Sequence, residues 1–183
     1  ILVLEPFGDG SHATFYRGWQ RFSRHRFKIL ALPAVHWKWR SRHSSLTLAQ
    51  EAKEWLRGGE RCELIFCSDM LNLPEWRGLA GRPLASTPTI AYFHENQFTY
   101  PLRPGEQRDY HYAYSNLLTA VAADEIWFNS EFHRQEFSAG ATAWLRRMPD
   151  FQHRPLFAEA IAAARICPPG ILPPNSVLDR APA

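Results

Sequence analysis

The stretch ILVLEPFGDGSHATFYRGWQRF, residues 1–22, decides the fold predicted for this chain. An apolar run at residues 1–5 leads into a short turn with two glycines. Phe15, Trp19 and Phe22 then recur at helical spacing, so they share one face of a helix. The stretch therefore predicts a buried strand, a tight turn and an amphipathic helix, in that order.

The same succession recurs along the chain. Further apolar runs, each bounded by turn residues, occupy residues 27–32, 62–67, 89–93 and 125–129. Segments with helical periodicity separate them, and this alternation predicts a parallel sheet with right-handed crossovers. We expect an α/β domain over residues 1–170, a Rossmann-like doubly wound parallel sheet with helices on both faces. Residues 171–183 are rich in proline and lack periodicity, so they are interpreted as a linker.

The composition narrows the class of protein. Hydrophobic residues make up 45% of the 183 residues and charged residues 21%, as in an ordinary globular chain. No apolar run reaches the roughly 18 residues of a membrane span, so no membrane partner is expected. The chain begins with ILVLE, without a signal segment, and its three cysteines form no CxxC pair. A cytoplasmic location is therefore expected.

Positive charge is concentrated in the first part of the chain. Residues 1–50 contain eight Lys and Arg against two acidic residues, a net charge of +6, whereas the whole chain carries +3. Such an asymmetry favours a polyanionic partner for this part of the protein.

The predicted topology directs attention to the segments that follow each strand, because ligands bind at the carboxyl ends of parallel strands. After the first strand come Gly8, Gly10, Ser11 and His12, where glycines and a helix N-terminus favour an anion. Ala13 stands where the dinucleotide fingerprint GxGxxG requires its third glycine, so a nicotinamide cofactor is poorly supported. Alternatively, Gly10 only makes the turn and Ser11 caps the helix.

Aromatic and cationic residues alternate in HWKWRSRH, residues 36–43. In an extended segment, Trp37 and Trp39 would offer stacking surfaces on one face, with Arg40 and Arg42 beside phosphates on the other. This pattern is typical of single-stranded RNA binding. The alternative is a tryptophan pair packed under a loop, with its charges in solvent.

Four polar residues, His94, Glu95, Asn96 and Gln97, follow the fourth predicted strand. Hydrogen-bonding side chains at a strand end require partners, and a polar ligand such as a sugar would supply them. A turn whose side chains bond the neighbouring backbone is the alternative. No metal is expected, because this segment lacks the second histidine of HExxH.

Two further pairs of polar residues are placed at the same edge. Arg108 and Asp109 precede a predicted helix, and Asn129 and Ser130 end the fifth strand. Asp109 and Ser130 are also plausible helix N-caps. Their convergence on one edge of the sheet makes them candidates for a shared site.

Six segments, EPFGDGSH, LPAVHWKWRSRHSSL, SDMLNLPE, YFHENQFTYP, RDYHYAYSNLL and FNSEFHRQEF, together resemble the N-terminal domain of the tRNA-queuosine mannosyltransferase family. The resemblance covers residues 1 to about 170, and WKWR and FHENQ are its most specific parts. It implies the first half of a two-domain GT-B glycosyltransferase. It also implies retaining transfer of mannose from GDP-mannose to queuosine in a tRNA anticodon, with no cofactor besides this sugar nucleotide.

The resemblance also implies roles for individual residues. His94 is the implied catalytic residue beside the donor sugar. The implied donor-binding residues are Gly8, Gly10, Ser11, His12, Glu95, Asn96, Asn129 and Ser130. The implied acceptor-binding residues are Trp37, Trp39, Arg40, Arg42, Gln97, Arg108 and Asp109. The basic and acidic donor motifs of a second, C-terminal domain are absent from the sequence, so the chain alone is expected to be inactive.

Other functions remain open on the sequence. The chain is alternatively a noncatalytic RNA-binding module, or a glycosyltransferase with a different acceptor. A third alternative is an unrelated small-molecule enzyme with His94 and Glu95 as acid and base.

Overall fold

The computed structural model describes residues 1–170, which build one parallel sheet of six strands in the order β2-β1-β3-β4-β5-β6. The strands are β1 (Leu2–Glu5), β2 (Lys28–Ala31), β3 (Ile65–Ser68), β4 (Thr89–Phe93), β5 (Glu125–Phe128) and β6 (Arg165–Ile166). The helices are α1 (Gly10–Phe22), α2 (Trp37–Arg57), α3 (Leu73–Ala80), α4 (Tyr110–Ala122), α5 (Glu131–Leu145) and α6 (Arg154–Ala162).

The predicted Rossmann-like fold is confirmed. All five predicted strands are present and pair in parallel, and β6 extends the sheet beyond β5. The sequence did not indicate β6, because a strand of two residues is too short for a periodic pattern. The interpreted linker at residues 171–183 lies outside the described residues. Within residues 1–170, no helix is both long and apolar enough to span a bilayer.

Both faces of the sheet are covered by helices, as predicted. Successive strand residues point to opposite faces, so Leu2 and Leu4 join one buried cluster and Val3 joins the other. The cluster around Val3 is closed by α1, through residues that include Ala13 and Tyr16. Residues of α2, α3, α4, α5 and α6 belong to the opposite cluster. Helices on both faces leave the strand ends as the accessible polar edge of the sheet.

The extended conformation considered for residues 36–43 is wrong, because α2 begins at Trp37 and continues to Arg57. Residues two apart on a helix point about 200° away from each other, so the two tryptophans cannot form one surface. The Trp37 ring lies against Tyr112, with ring centroids 5.1 Å apart, whereas Trp39 lies against His43 and is 62% exposed. The segment therefore presents two separate aromatic groups.

Helix capping also differs from the sequence interpretation at one place. Asp9, and not Ser11, is the N-cap of α1, and its carboxylate accepts a hydrogen bond from Gly10 N at 2.7 Å. Ser11 lies exposed in the first turn. For Asp109 and Ser130 the sequence allowed either a site residue or a helix N-cap. The N-cap is confirmed for Asp109 in α4 and for Ser130 in α5.

The loop after β4 is pressed onto α5 at a glycine. A Cβ atom on Gly140 would lie 2.8 Å from Phe98 Cβ and 3.2 Å from Thr99 Cγ2. No side chain fits at that distance without displacing the loop. Because this loop begins at His94, the close packing at Gly140 helps to fix the segment in which the sequence places its candidate site.

We expect Gly140→Ala to destabilise the protein by about 1–3 kcal/mol, because its methyl group overpacks against Phe98. The matched control is Gly18→Ala in α1, where a Cβ meets nothing within 4 Å. Alanine there raises the helix propensity and is expected to stabilise the fold by about 0.5–1 kcal/mol. Urea unfolding of both variants measures the difference, and equal stabilisation would show that the loop does not press on α5.

Candidate functional site

Two histidines and a glutamate meet at the carboxyl edge of β1 and β4. Glu5 ends β1, His12 lies in the first turn of α1, and His94 follows β4. The rings of His12 and His94 stack with centroids 4.0 Å apart and planes at 22°. We call these three residues the imidazole cluster.

Glu5 holds the cluster together from inside the protein. Its side chain is 1% exposed, and Oε1 accepts hydrogen bonds from Ser68 Oγ at 3.0 Å and from Phe7 N at 2.8 Å. Glu5 Oε2 lies 3.1 Å from His12 Nδ1. This contact is an ion pair without hydrogen-bond geometry. A buried carboxylate is stable only with such partners. Glu5 therefore fixes where the His12 ring lies.

The two stacked imidazoles differ in charge. Burial lowers the pKa of His12, but the surrounding carboxylates, Glu5 foremost and then Asp69 and Glu95, together outweigh burial and raise that pKa to about 9. Burial and the charge of His12 together hold the pKa of His94 far below its ordinary value. At neutral pH, His12 is consequently protonated and paired with Glu5, whereas His94 is a neutral imidazole.

The backbone of His94 is clamped on both sides. Its N–H donates to Asp69 Oδ1 at 2.9 Å, and its carbonyl accepts from Asn129 Nδ2 at 2.8 Å. Among residues 1–170, no hydrogen-bond partner meets either ring nitrogen of His94, which is only partly buried. The imidazole is thus held in position with its hydrogen-bonding capacity free for a ligand.

The imidazole cluster also has the residue types of a metal site, because its three candidate ligand atoms lie within 4.8 Å of one another. Glu5 is engaged by Ser68, Phe7 and His12, and His12 carries the proton that a metal would have to displace. An ion pair accounts for these residues better than a metal ligand set.

The predicted donor-binding residues divide into two groups. Gly10, Ser11 and Asn129 lie at the same edge as His94, with Asn129 bonded directly to it. Gly8 instead serves packing, since a Cβ there would lie 2.9 Å from Ala31 Cβ. Ser130 caps α5 and donates to Asn129 Oδ1 at 3.0 Å, so it supports the site from behind.

The polar segment after β4 is partly a turn, as the alternative interpretation held. Asn96 is 3% exposed, and its Oδ1 accepts from Phe98 N and Thr99 N, both at 3.0 Å. Gln97 Nε2 reaches Glu95 Oε1 at 3.4 Å. Asn96 is therefore bound to its own loop, while His94, Glu95 and Gln97 remain partly accessible.

Three predicted acceptor residues have structural partners. Arg40 Nε donates to Pro33 O, and Arg108 donates to Gln97 O at 2.7 Å and to Tyr100 O at 2.8 Å. Asp109 accepts from His111 N as the cap of α4. These side chains hold the loops in place, and none of these bonds faces the imidazole cluster.

A cavity of about 240 Å³ lies between α2, α4 and the loop after β3, and its lining shares no residue with the imidazole cluster. Predicted residues Trp37, Arg42 and Gln97 line it, together with Asp69 and Tyr112. The guanidinium of Arg42 lies 5.1 Å from the centre of the Tyr112 ring. Trp39 does not line this cavity. The structure thus brings together one part of the predicted acceptor set and separates the rest.

Glu5 and Asp69 are the site residues that sequence reasoning missed. Each is a carboxylate at or directly after the end of an apolar strand, in ILVLE and IFCSD, and each is at most 2% exposed. A charged residue that closes a buried strand must find a partner inside the protein. This signal was available in the sequence and would have identified both.

The all-parallel sheet with helices on both faces defines a Rossmann-like α/β domain, in which polar residues gather at the carboxyl edge of the sheet. The family model described as tRNA-queuosine alpha-mannosyltransferase N-terminal matches residues 1–171, and the chain belongs to that family. It is 38% identical over 154 residues to the tRNA-queuosine alpha-mannosyltransferase of Drosophila melanogaster. The match covers 83% of this chain but only 39% of the fly protein. No solved structure matches the chain.

We expect Glu5→Gln to lower the pKa of His12 from about 9 toward its ordinary value of 6.5, because the carboxylate that opposes burial most strongly would be gone. NMR titration of the histidine ring signals measures this pKa in both proteins. A His12 pKa that stays near 9 in the variant would contradict the ion pair.

The same pair predicts how stability depends on pH. The folded protein binds the His12 proton more tightly than the unfolded chain, so this stabilisation is complete below pH 6.5 and is lost as the pH rises through about 9. In that window the unfolding free energy of the wild type should fall more steeply with pH than that of Glu5→Gln. If the unfolding free energies of the two proteins fall equally steeply with pH, His12 does not contribute to the pH dependence.

Proposed function

We propose that this chain is the acceptor-side domain of a retaining glycosyltransferase that transfers mannose from GDP-mannose to queuosine in a tRNA anticodon. Family membership and the similarity to the fly protein support the class of reaction. The chain spans about two fifths of that relative, which is in keeping with a GT-B enzyme whose second domain binds most of the sugar nucleotide.

The observation that carries this proposal is the state of His94. A retaining transfer breaks the bond between C1 of mannose and the phosphate oxygen, and it forms a bond from C1 to the acceptor hydroxyl. Between the breaking of the first bond and the formation of the second, positive charge develops on the sugar ring. A neutral imidazole can hydrogen-bond to the sugar without repelling that charge, and the charge of His12 is balanced by Glu5.

The N-terminus of α1 suits the departing diphosphate. In the first turn of α1, the backbone N–H groups of Ser11 and His12 have no acceptor among residues 1–170, and the helix dipole is positive there. Gly10, at φ 58°, keeps this end free of a side chain. Negative charge that builds up on the leaving group would be stabilised at this position. The departing diphosphate would take up the proton that the acceptor hydroxyl loses.

The tRNA is proposed to approach along the start of α2. Lys38, Trp37 and Arg42 lie at the carboxyl edge, close to the cavity, whereas α1 carries Arg21 at its far end near the opposite edge. Basic residues along α2 would meet phosphates that flank the acceptor nucleoside. Without its nucleotide-binding half, the 183-residue chain is expected to lack transfer activity.

We expect His94→Ala to lower kcat for mannose transfer by about 100-fold or more, with acceptor binding changed by less than about threefold, because the lost interaction acts in the transition state. Trp37→Ala should do the reverse, since its ring lies beside the cavity and away from the sugar. The assay uses the full-length protein, labelled GDP-mannose and queuosine-containing tRNA, with tRNA binding measured in parallel.

Near-normal turnover of His94→Ala would reject its catalytic role. If the full-length wild type transfers no mannose from GDP-mannose but accepts another donor or acceptor, the substrate assignment is wrong and the class of enzyme stands. Binding of tRNA without transfer of any sugar would instead favour the noncatalytic RNA-binding module.

Lys38→Gln is expected to weaken tRNA binding and to reduce by about one the slope of log affinity against log salt, since one phosphate contact is lost. Arg24→Gln is the matched control, because Arg24 is exposed near the amino edge, just before β2. Fluorescence anisotropy at several salt concentrations measures both slopes. Equal effects of the two substitutions would place the tRNA elsewhere.

A further inference from the structure

His133 is a buried histidine that is linked to His94 through a single side chain. It lies in the first turn of α5 and is only 8% exposed. Its ring meets the Phe128 ring edge-on, with centroids 5.1 Å apart and planes at 90°. A polar ring inside a protein requires a hydrogen-bond partner. For His133 that partner is Asn129, the residue that also bonds to His94.

The amide of Asn129 is bonded at both of its ends. On one side Nδ2 donates to His94 O at 2.8 Å. On the other side Oδ1 accepts from Ser130 Oγ at 3.0 Å and lies 3.2 Å from His133 Nδ1. The donor end of the amide therefore faces His94, and the acceptor end faces the start of α5.

This contact decides which ring nitrogen of His133 carries the proton. An amide oxygen only accepts hydrogen bonds, so Nδ1 is the protonated nitrogen. Burial lowers the pKa of His133 to about 4, so the ring is neutral at neutral pH and has a single N–H. Nε2 is buried and has no hydrogen-bond partner among residues 1–170. The one proton of the ring is thus committed to Asn129.

The N–H of His133 favours one orientation of the Asn129 amide. If the amide turned by 180°, its NH₂ group would face the N–H of His133, and its oxygen would face the carbonyl oxygen of His94. Both contacts would be repulsive. The hydroxyl of Ser130 does not select an orientation, because a hydroxyl group both donates and accepts. The selection therefore depends on His133.

We propose that His133 is a positioning residue for the transfer reaction, in that its Nδ1–H holds the Asn129 amide in the orientation that grips the backbone of His94. This inference rests on the proposed function, in which His94 acts at the donor sugar. The backbone of His94 has two clamps, Asn129 Nδ2 and Asp69 Oδ1. Loss of the first clamp lets the imidazole shift, and a catalytic group displaced by about 1 Å can cost about 100-fold in rate.

The test measures mannose transfer by the full-length protein. His133→Leu removes the N–H and fills much of the same space with an apolar side chain. It should lower kcat by about tenfold or more and change KM for GDP-mannose and for tRNA by less than about threefold, because His133 touches neither substrate. His133→Asn should restore most of kcat, since its side-chain N–H lies at nearly the same distance from the backbone as Nδ1.

The matched control is His25→Leu. His25 is exposed in the loop between α1 and β2, at the opposite edge of the sheet, so this substitution should leave kcat unchanged. A folded His133→Leu protein with the kcat of the wild type would overturn the proposal. So would a folded His133→Asn protein that is no faster than His133→Leu.

A double-mutant cycle tests whether His133 acts through Asn129. Asn129→Ala should lower kcat at least as much as His133→Leu does. Adding His133→Leu to Asn129→Ala should then change kcat by less than about twofold, because the amide that His133 orients is already gone. Two effects that multiply independently would show that His133 acts by another route, and the proposal would fail.

Hydrogen exchange separates this proposal from the proposed function. In NMR spectra of the protein, the Asn129 side-chain proton that bonds to His94 O should exchange slowly with solvent. His133→Leu should speed this exchange by about tenfold or more, and His25→Leu should not. If the wild type transfers no mannose but the exchange changes in this way, the positioning role stands and the proposed function fails. Unchanged exchange in His133→Leu would overturn the positioning role even where mannose is transferred.

Discussion

The rest of the structure depends on one buried carboxylate, that of Glu5. A charge with 1% exposure requires partners, and the three that it finds come from β3, from the turn after β1 and from α1. The contact between Glu5 and His12 therefore fixes the position of α1 relative to the sheet. Glu5 also favours the charged form of His12, and burial together with that charge keeps the stacked His94 neutral.

Asp69 is a second buried carboxyl group, and it directly follows the neighbouring strand β3. One of its oxygens holds His94, and the other is buried without a hydrogen-bond partner among residues 1–170. Two carboxylates at adjacent strand ends thus have different tasks. Both oxygens of Glu5 have partners, whereas Asp69 uses one oxygen to hold the backbone of His94. Parallel strands make this possible because their carboxyl ends lie side by side.

The sequence predicted the sheet and the edge that carries the site, because apolar runs and turn residues are local signals. It predicted His94 and Asn129 together for the same reason. It could not predict that residues 37–43 are helical, since alternating aromatic and charged residues fit a strand as well as the first two turns of α2. The partners of Arg108 and Asn96 were also hidden, because hydrogen bonds within a loop depend on its exact path.

The bond between Glu5 and Ser68 joins residues 63 positions apart, and β1 lies between β2 and β3 in the sheet. During synthesis β1 leaves the ribosome before β3, so the Glu5 carboxylate has no partner from β3 until the 21-residue helix α2 and then β3 have emerged. Such long-range pairing is slow, because a large loop must close before any contact rewards it. We therefore expect the imidazole cluster to form in the same late step as the core of the sheet.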